Sequence, residues 1–156
     1  MIATKKFNLT KKEYFSIIVR VLIKQRWWWF AFMWLVTIFI LLKDEKDSFD
    51  IFLIGFSILY PLIILLQYWR FTNSNENKSF FEERQYQISS DKIITYLGSA
   101  DGRAGIDNFI KTLELKDVYL LYLSKTQSVY FPKRIFETVE DENWFRNEIF
   151  LKIKKK

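Results

Sequence analysis

The chain has 156 residues, of which 50% are hydrophobic and 19% aromatic, and its formal net charge is +6. This length accommodates at most one soluble domain beside two apolar segments. The chain contains no cysteine and no histidine. Their absence excludes disulfides, thiol nucleophiles and zinc ribbons, and it removes both the usual general base at neutral pH and the commonest metal ligand. We therefore expect no enzymatic activity, no cofactor and no metal site.

Residues 1–26 form a basic N-terminal segment in which we expect an amphipathic helix. Thr10 and Glu13 have the spacing of a capping box at a helix start. Apolar residues then recur at the spacing of one helical face, at Tyr14, Ile17, Ile18, Val21 and Leu22. Such a helix would lie in the lipid headgroup region with its basic face outward. The alternative is a simple extension of the apolar helix that follows.

Two apolar runs, Trp27–Leu42 and Ile51–Trp69, predict a transmembrane hairpin over residues 27–69. Neither run contains a charged side chain, and about 20 apolar helical residues cross a bilayer. The first run is slightly short unless Arg26 and Lys43 extend their stems along its ends. The alternative is the buried hairpin of a soluble protein, but soluble helices usually carry a polar stripe. Because a transport pathway would place ionisable residues in the spans, these runs indicate an anchor.

The distribution of charge predicts the orientation of this hairpin. Basic residues lie at its two outer ends, whereas the turn Lys43–Asp50 contains four acids and two bases. By the positive-inside rule, both termini are cytoplasmic and the turn lies outside. We therefore expect a multi-pass protein of the bacterial inner (cytoplasmic) membrane.

A polar linker, residues 70–79, leads to a predicted β-rich domain over residues 80–156. Short runs of aromatic and β-branched residues predict an antiparallel β-meander, with strands at Phe81–Ile88, Lys92–Leu97, Ile106–Leu115, Val118–Leu123 and Ser128–Phe131. The glycine-rich stretch 98–105 is predicted to be a flexible hairpin turn, since a phosphate-binding loop would be followed by a helix. Thr138 is a suitable cap for a closing helix over Val139–Lys154. The fold class is thus a membrane helical hairpin plus an α+β domain.

The stretch Val118–Phe136 resembles the YcxB-like family of bacterial membrane proteins. The family pattern is an aromatic strand followed by a strand that ends in Pro-Lys-Arg-x-Phe, here Tyr119, Leu121, Tyr122, Ser124, Phe131, Pro132, Lys133, Arg134 and Phe136. Upstream, Tyr86–Ile88, Asp91 and Glu114 also fit, whereas Ile106 stands where the family usually has tryptophan. The resemblance implies two N-terminal spans and a sheet of the pleckstrin-homology type closed by a C-terminal helix. It does not imply an activity.

The candidate contact residues are basic and lie near the end of the chain: Lys133, Arg134, Lys152, Lys154, Lys155 and Lys156. Each would add about 1 kcal/mol of attraction to an anionic membrane surface. For Lys133 and Arg134 the alternative is a solvated turn that leads into the closing helix. The acids of the sheet region, Asp91, Asp101, Asp107, Glu114 and Asp117, are scattered, so we interpret them as solvated charges rather than as an acid–base pair.

These features favour a membrane-anchored, non-enzymatic binding or regulatory module that engages membrane lipid or a protein partner. The alternatives are an immunity or defence protein that neutralises a membrane-acting toxin, and an accessory subunit of a larger membrane complex. A homo-oligomer is compatible with each of these functions. Aromatic residues alternate with bases as in single-strand binders, but acids nearly balance the bases, so we expect no nucleic-acid partner.

Overall fold

The protein is described by a computed structural model that covers residues 1–98 and 100–154, except for the side chain of Lys154. The chain forms two compact units. The helical unit comprises residues 10–79, and the β unit combines residues 1–9 with residues 80–156. This division differs from the predicted one, in which residues 1–26 form a separate segment. The helical unit is inserted into the β unit after its first strand.

The helical unit consists of two helices, α1 (Lys11–Leu41) and α2 (Ser48–Asn73). The predicted capping box of Thr10 and Glu13 is confirmed at the start of α1. From there α1 continues without a break through the first apolar run. The amphipathic stretch is therefore an extension of the apolar helix, the alternative that the sequence had left open.

The two helices run antiparallel and contact each other along their length. Tyr14, near the start of α1, stacks on Phe71 near the end of α2, with ring centroids 6.3 Å apart. Nearer the turn, the hydroxyls of Thr37 and Ser57 share a hydrogen bond of 2.7 Å, and both residues are buried. These contacts define a helical hairpin.

Among the described residues, one helix is long and apolar enough to cross a membrane, namely α2. The helix α1 does not qualify, because its apolar run contains four tryptophans and follows basic residues. Tryptophan prefers the interface of a membrane to its hydrocarbon core. The predicted pair of spans is thus supported by composition for α2 alone.

The β unit contains two antiparallel sheets. The first has the order β1 (Ile2–Ala3), β2 (Arg84–Ile88), β3 (Lys92–Leu97) and β4 (Ala100–Gly105). Gly98, in the turn between β3 and β4, has a φ of 57°, a left-handed conformation that favours glycine.

The second sheet has the order β5 (Lys111–Glu114), β6 (Val118–Tyr122) and β7 (Ser128–Pro132). Its central strand β6 is buried at all five positions. A closing helix follows, formed by α3 (Val139–Trp144), a π-helical segment (Phe145–Phe150) and α4 (Leu151–Lys154). The predicted cap is confirmed, because the hydroxyl of Thr138 accepts a hydrogen bond from the amide of Asp141.

The combination of helices and antiparallel sheets confirms the α+β class, but several predicted elements were wrong. The stretch predicted as a turn contains the strand β4, which lacks bulky apolar residues and is held by backbone pairing with β3. The predicted strand over Ile106–Leu115 begins instead with a 3-10 turn, Ile106–Asn108. Within the predicted linker, α2 extends to Asn73 and a second 3-10 helix covers Asn75–Phe81.

The first strand, β1, has no counterpart in the prediction. The amide of Thr4 donates to the carbonyl of Tyr86 at 2.9 Å, and the amide of Tyr86 donates to the hydroxyl of Thr4 at 3.0 Å. Phe7 exchanges two backbone hydrogen bonds with Arg84, at 2.8 and 2.9 Å. Phe7 and Leu9 are buried. The N-terminal residues are therefore part of the β unit.

A chain of aromatic rings connects both sheets to the closing helix. The ring of Phe131, on β7, lies 4.6 Å from that of Tyr86 on β2 and 5.0 Å from that of Phe145 in the closing helix. Phe7 extends this chain, with its centroid 5.4 Å from that of Tyr86. Burial raises the pKa of Tyr86 to about 12. One aromatic core thus holds the β unit together.

We predict that Phe7→Ala destabilises the β unit by about 3 kcal/mol, because truncation of a buried phenylalanine leaves a cavity. Hydrogen exchange of the β2 amides in the full chain, followed across a denaturant series, measures this loss. The exposed neighbour provides the control, since Lys6→Ala should change the free energy of unfolding by less than about 0.5 kcal/mol. Equal effects of the two variants would contradict a structural role of the N-terminal strand.

Candidate functional site

The predicted contact residue Lys133 belongs to a compact group of charged and aromatic side chains, which we call the ion-pair cluster: Glu114, Tyr119, Lys133, Glu142 and Arg146. The register of the second sheet assembles it. Glu114 ends β5 and pairs with Tyr119 on β6, while Lys133 directly follows β7. The closing helix contributes the other two side chains.

The ammonium group of Lys133 lies at the centre of the ion-pair cluster. Its Nζ atom is 2.9 Å from Oε1 of Glu114 and lies 4.6 Å from the ring centroid of Tyr119. A cation over an aromatic face is attracted by the ring quadrupole. The hydroxyl of Tyr119 in turn donates to Oε1 of Glu142 at 2.9 Å. Arg146 reaches the second oxygen of Glu114 at 3.7 Å.

The environment of the ion-pair cluster shifts two pKa values. Partial burial acts to raise the pKa of Glu114, but the hydrogen bond and charge of Lys133, together with Arg146, outweigh it and lower that pKa. Burial raises the pKa of Tyr119, and the hydrogen bond to Glu142 raises it further. At neutral pH the cluster therefore combines the ionised carboxylate of Glu114 with the neutral phenol of Tyr119.

The ion-pair cluster joins the second sheet to the closing helix, and its carboxylates lie beside cations of the same cluster. The side chain of Lys133 is 26% exposed, and its charge is already balanced inside the β unit. The charge of Lys133 is therefore paired within the fold and not solvated as in the alternative considered from the sequence. Sequence reasoning had named Glu114 and Lys133 but not their proximity, and it had missed Glu142 and Arg146, which only the closing helix brings to the sheet.

The remaining candidate contact residues lie apart from the ion-pair cluster. Arg134 is exposed, and its guanidinium donates to the carbonyl of Asn8 at 3.2 Å. Lys152 is exposed and pairs with Glu148 one helical turn away. The side chain of Lys154 and both residues Lys155 and Lys156 lie outside the described part of the chain. Among the described residues of the predicted basic surface, Arg134 and Lys152 are thus exposed.

The acids of the sheet region do not converge. Asp91 lies in the β2–β3 turn, where the hydroxyl of Ser89 donates to it at 2.7 Å and lowers its pKa. Asp101 lies 3.7 Å from Arg103 on β4. Within residues 1–98 and 100–154, no three acidic side chains are grouped in a way that would hold a metal ion.

The helical unit contains a groove between α1 and α2, lined by apolar side chains such as Leu22, Trp34 and Leu62. Ser57 also lines it, but its hydroxyl is bonded to Thr37. None of the described residues that line this groove is titratable. The groove is therefore lined almost entirely by apolar side chains.

Comparison with known proteins places the similarity in the β unit. Residues 88–149 match the family model described as YcxB-like protein. This segment begins at the end of β2, reaches into the closing helix and contains the whole ion-pair cluster, but it does not include the helical unit. No curated protein and no solved structure matches the chain. The resemblance inferred from the sequence is confirmed for this segment.

We predict that Glu114→Gln destabilises the β unit by about 1 kcal/mol at pH 7, the contribution of a half-buried charged hydrogen bond. Because the pKa of Glu114 is lowered by folding from its ordinary value of 4.5, its stabilisation is present above that pH. The stabilisation is lost as the pH falls through the lower pKa of the folded state. Denaturant unfolding of both proteins between pH 7 and pH 3 should therefore show a difference that shrinks with acidification.

The control for this experiment is Glu82→Gln, which removes an exposed carboxylate outside the ion-pair cluster. This variant should follow the wild-type stability curve throughout. A constant difference between Glu114→Gln and wild type at all pH values would argue against the lowered pKa.

Proposed function

We propose that this protein is a membrane-anchored, non-enzymatic binding or regulatory module. In this proposal the helical unit crosses the bacterial inner membrane twice. The β unit lies on the cytoplasmic side, where it engages a protein partner or the anionic lipid surface.

The observation that carries this proposal is the pairing of β1 with β2. These strands lie on either side of the helical hairpin in sequence, yet they share hydrogen bonds such as those between Thr4 and Tyr86. Both ends of the hairpin must therefore lie on the same side of any membrane. If α2 crosses a bilayer, α1 has to cross it in the opposite direction, whatever its own hydropathy.

The polarity of the helical unit supports the same conclusion. Large apolar side chains on its outer surface are exposed, including Trp27 at 64% and Phe39 at 66%. Its buried interior contains the hydroxyls of Thr37 and Ser57. Only 11% of the most apolar stretch of α2 is buried in the protein. A soluble hairpin would have the reverse distribution, whereas hydroxyl pairs between helices are common in membranes.

The architecture of the β unit supports a binding module. We infer a pleckstrin-homology-like domain from the four-stranded and the three-stranded antiparallel sheet and the C-terminal helix that follows them. The first strand would then be separated from the others by the inserted hairpin. Lys133 is partly buried, whereas Arg134 and Lys152 are exposed. We therefore assign the contact with an anionic partner to Arg134, Lys152 and the lysine-rich end of the chain.

The proposed topology is tested by cysteine accessibility, for which the natural chain provides a cysteine-free background. Glu45→Cys, in the hairpin turn, should react with a membrane-impermeant maleimide in intact spheroplasts. Lys6→Cys and Thr126→Cys, both exposed in the β unit, should react only after the membrane is permeabilised. Labelling of all three positions from the same side would contradict a two-span hairpin.

The proposed binding is tested by purifying the full chain from its native membrane in mild detergent and identifying what is retained. We expect a stoichiometric protein or anionic lipid, reduced about tenfold or more in the double variant Arg134→Gln/Lys152→Gln. The control is Lys46→Gln, which removes an exposed charge from the hairpin turn and should have no effect.

The identity of the retained molecule decides between the forms of this function. A membrane-acting toxin would make the protein an immunity protein, and a larger assembly would make it an accessory subunit. Anionic lipid that is lost at high salt would indicate a membrane-surface module. Retention of neither, or retention that the double variant leaves unchanged, would overturn the proposed contact.

A further inference from the structure

The strand β4 is the open edge of the described β unit. The other three edge strands are protected in the usual ways. The strand β1 has two residues, β5 has four and begins with lysine, and β7 ends in proline. By contrast, β4 has six residues, none of them lysine or proline, and residues 100–103 are exposed.

The backbone hydrogen-bonding groups of β4 that face away from β3 belong to two charged residues. The amide of Ile106 donates to the carbonyl of Asp91 at 2.8 Å, which continues the β3–β4 ladder. Hydrogen-bonded pairs alternate along an antiparallel ladder, so Gly102 bonds towards β3. The backbone groups of Asp101 and Arg103 consequently face away from β3, on the edge with which no other described strand pairs.

We propose that β4 pairs antiparallel with β4 of a second copy of this chain, with Gly102 opposite Gly102. This register places Asp101 of each copy opposite Arg103 of the other, and Ala100 opposite Ala104. Each Asp101–Arg103 pair is hydrogen-bonded through the outward backbone groups. The side chains of Asp101 and Arg103, 50% and 71% exposed, form two opposite-charge cross-strand pairs around the two-fold axis.

Only this register both pairs the outward backbone groups in hydrogen bonds and places opposite charges across from each other. Shifting the pairing by one residue would oppose an outward-facing residue with an inward-facing one, which breaks the ladder. Shifting it by two residues would place Asp101 opposite Asp101, or Arg103 opposite Arg103, and would oppose like charges. The residues at the remaining positions are alanine and glycine, which do not obstruct a neighbouring strand.

Pairing joins two four-stranded sheets into one continuous sheet of eight strands. A single pair of short strands buries far less than the roughly 1,200 Å² that is typical of stable complexes. We therefore expect reversible pairing, which becomes stronger when two chains are held close together and their effective concentration rises. This interaction rests on the β unit alone and does not depend on the proposed anionic partner.

The pairing is tested by disulfide trapping of the full chain in reconstituted vesicles. A side chain at position 102 meets open space within its own chain, so Gly102→Cys should be tolerated. In the proposed dimer the two cysteines occupy a pair without mutual hydrogen bonds, about 4.5 Å apart between Cα atoms, which suits a disulfide. Gly102→Cys should form dimers at least about tenfold faster than Ala100→Cys, whose two copies lie about 13 Å apart along the strands.

The register is tested by charge reversal in the Gly102→Cys background. Asp101→Arg and Arg103→Asp should each slow dimer formation about tenfold, because each creates two like-charge pairs. The combination of both substitutions exchanges the charges and should restore the rate. Equal trapping of Gly102→Cys and Ala100→Cys would overturn the proposed pairing, and failure of the combined variant to recover would overturn the register.

Discussion

The organisation of this protein depends on the backbone pairing between residues 2–7 and β2, which lie some 80 positions apart in the chain. This pairing, together with the buried side chains of Phe7 and Leu9, joins the residues before the helical hairpin to the strand that follows it. The two ends of the helical hairpin are thereby held in one folded unit, a constraint that the composition of the two helices does not contain.

Two groups of side chains stabilise the β unit, namely the aromatic core and the ion-pair cluster. Phe131 connects the two sheets to the closing helix through ring contacts with Tyr86 and Phe145. At the margin of this core, Lys133 satisfies Glu114 and lies over the ring of Tyr119, so a partly buried charge is compensated. The motif residues that carry the family resemblance therefore include Glu114, Tyr119 and Lys133, whose side chains contact one another within the fold.

Two surfaces of the molecule depart from what a self-contained soluble protein requires. The helical unit exposes large apolar side chains and buries a hydroxyl pair, which is the polarity expected in lipid. The strand β4 leaves outward hydrogen-bonding groups beside Asp101 and Arg103, whose charges are complementary to a second copy. The first surface supports the proposed membrane location, and the second supports the proposed pairing of two copies.

The sequence by itself determined the elements whose signal is local. Unbroken apolar runs predicted both long helices, and capping residues such as Thr10 and Thr138 marked helix starts correctly. Alternating aromatic residues predicted the central strand β6. The tertiary structure alone decided that β1 joins the first sheet, that the small residues of β4 form a strand, and that Lys133 meets Glu114. In each of these cases the stabilising contact joins residues distant in sequence or uses only the backbone, so no local pattern of side chains predicts it.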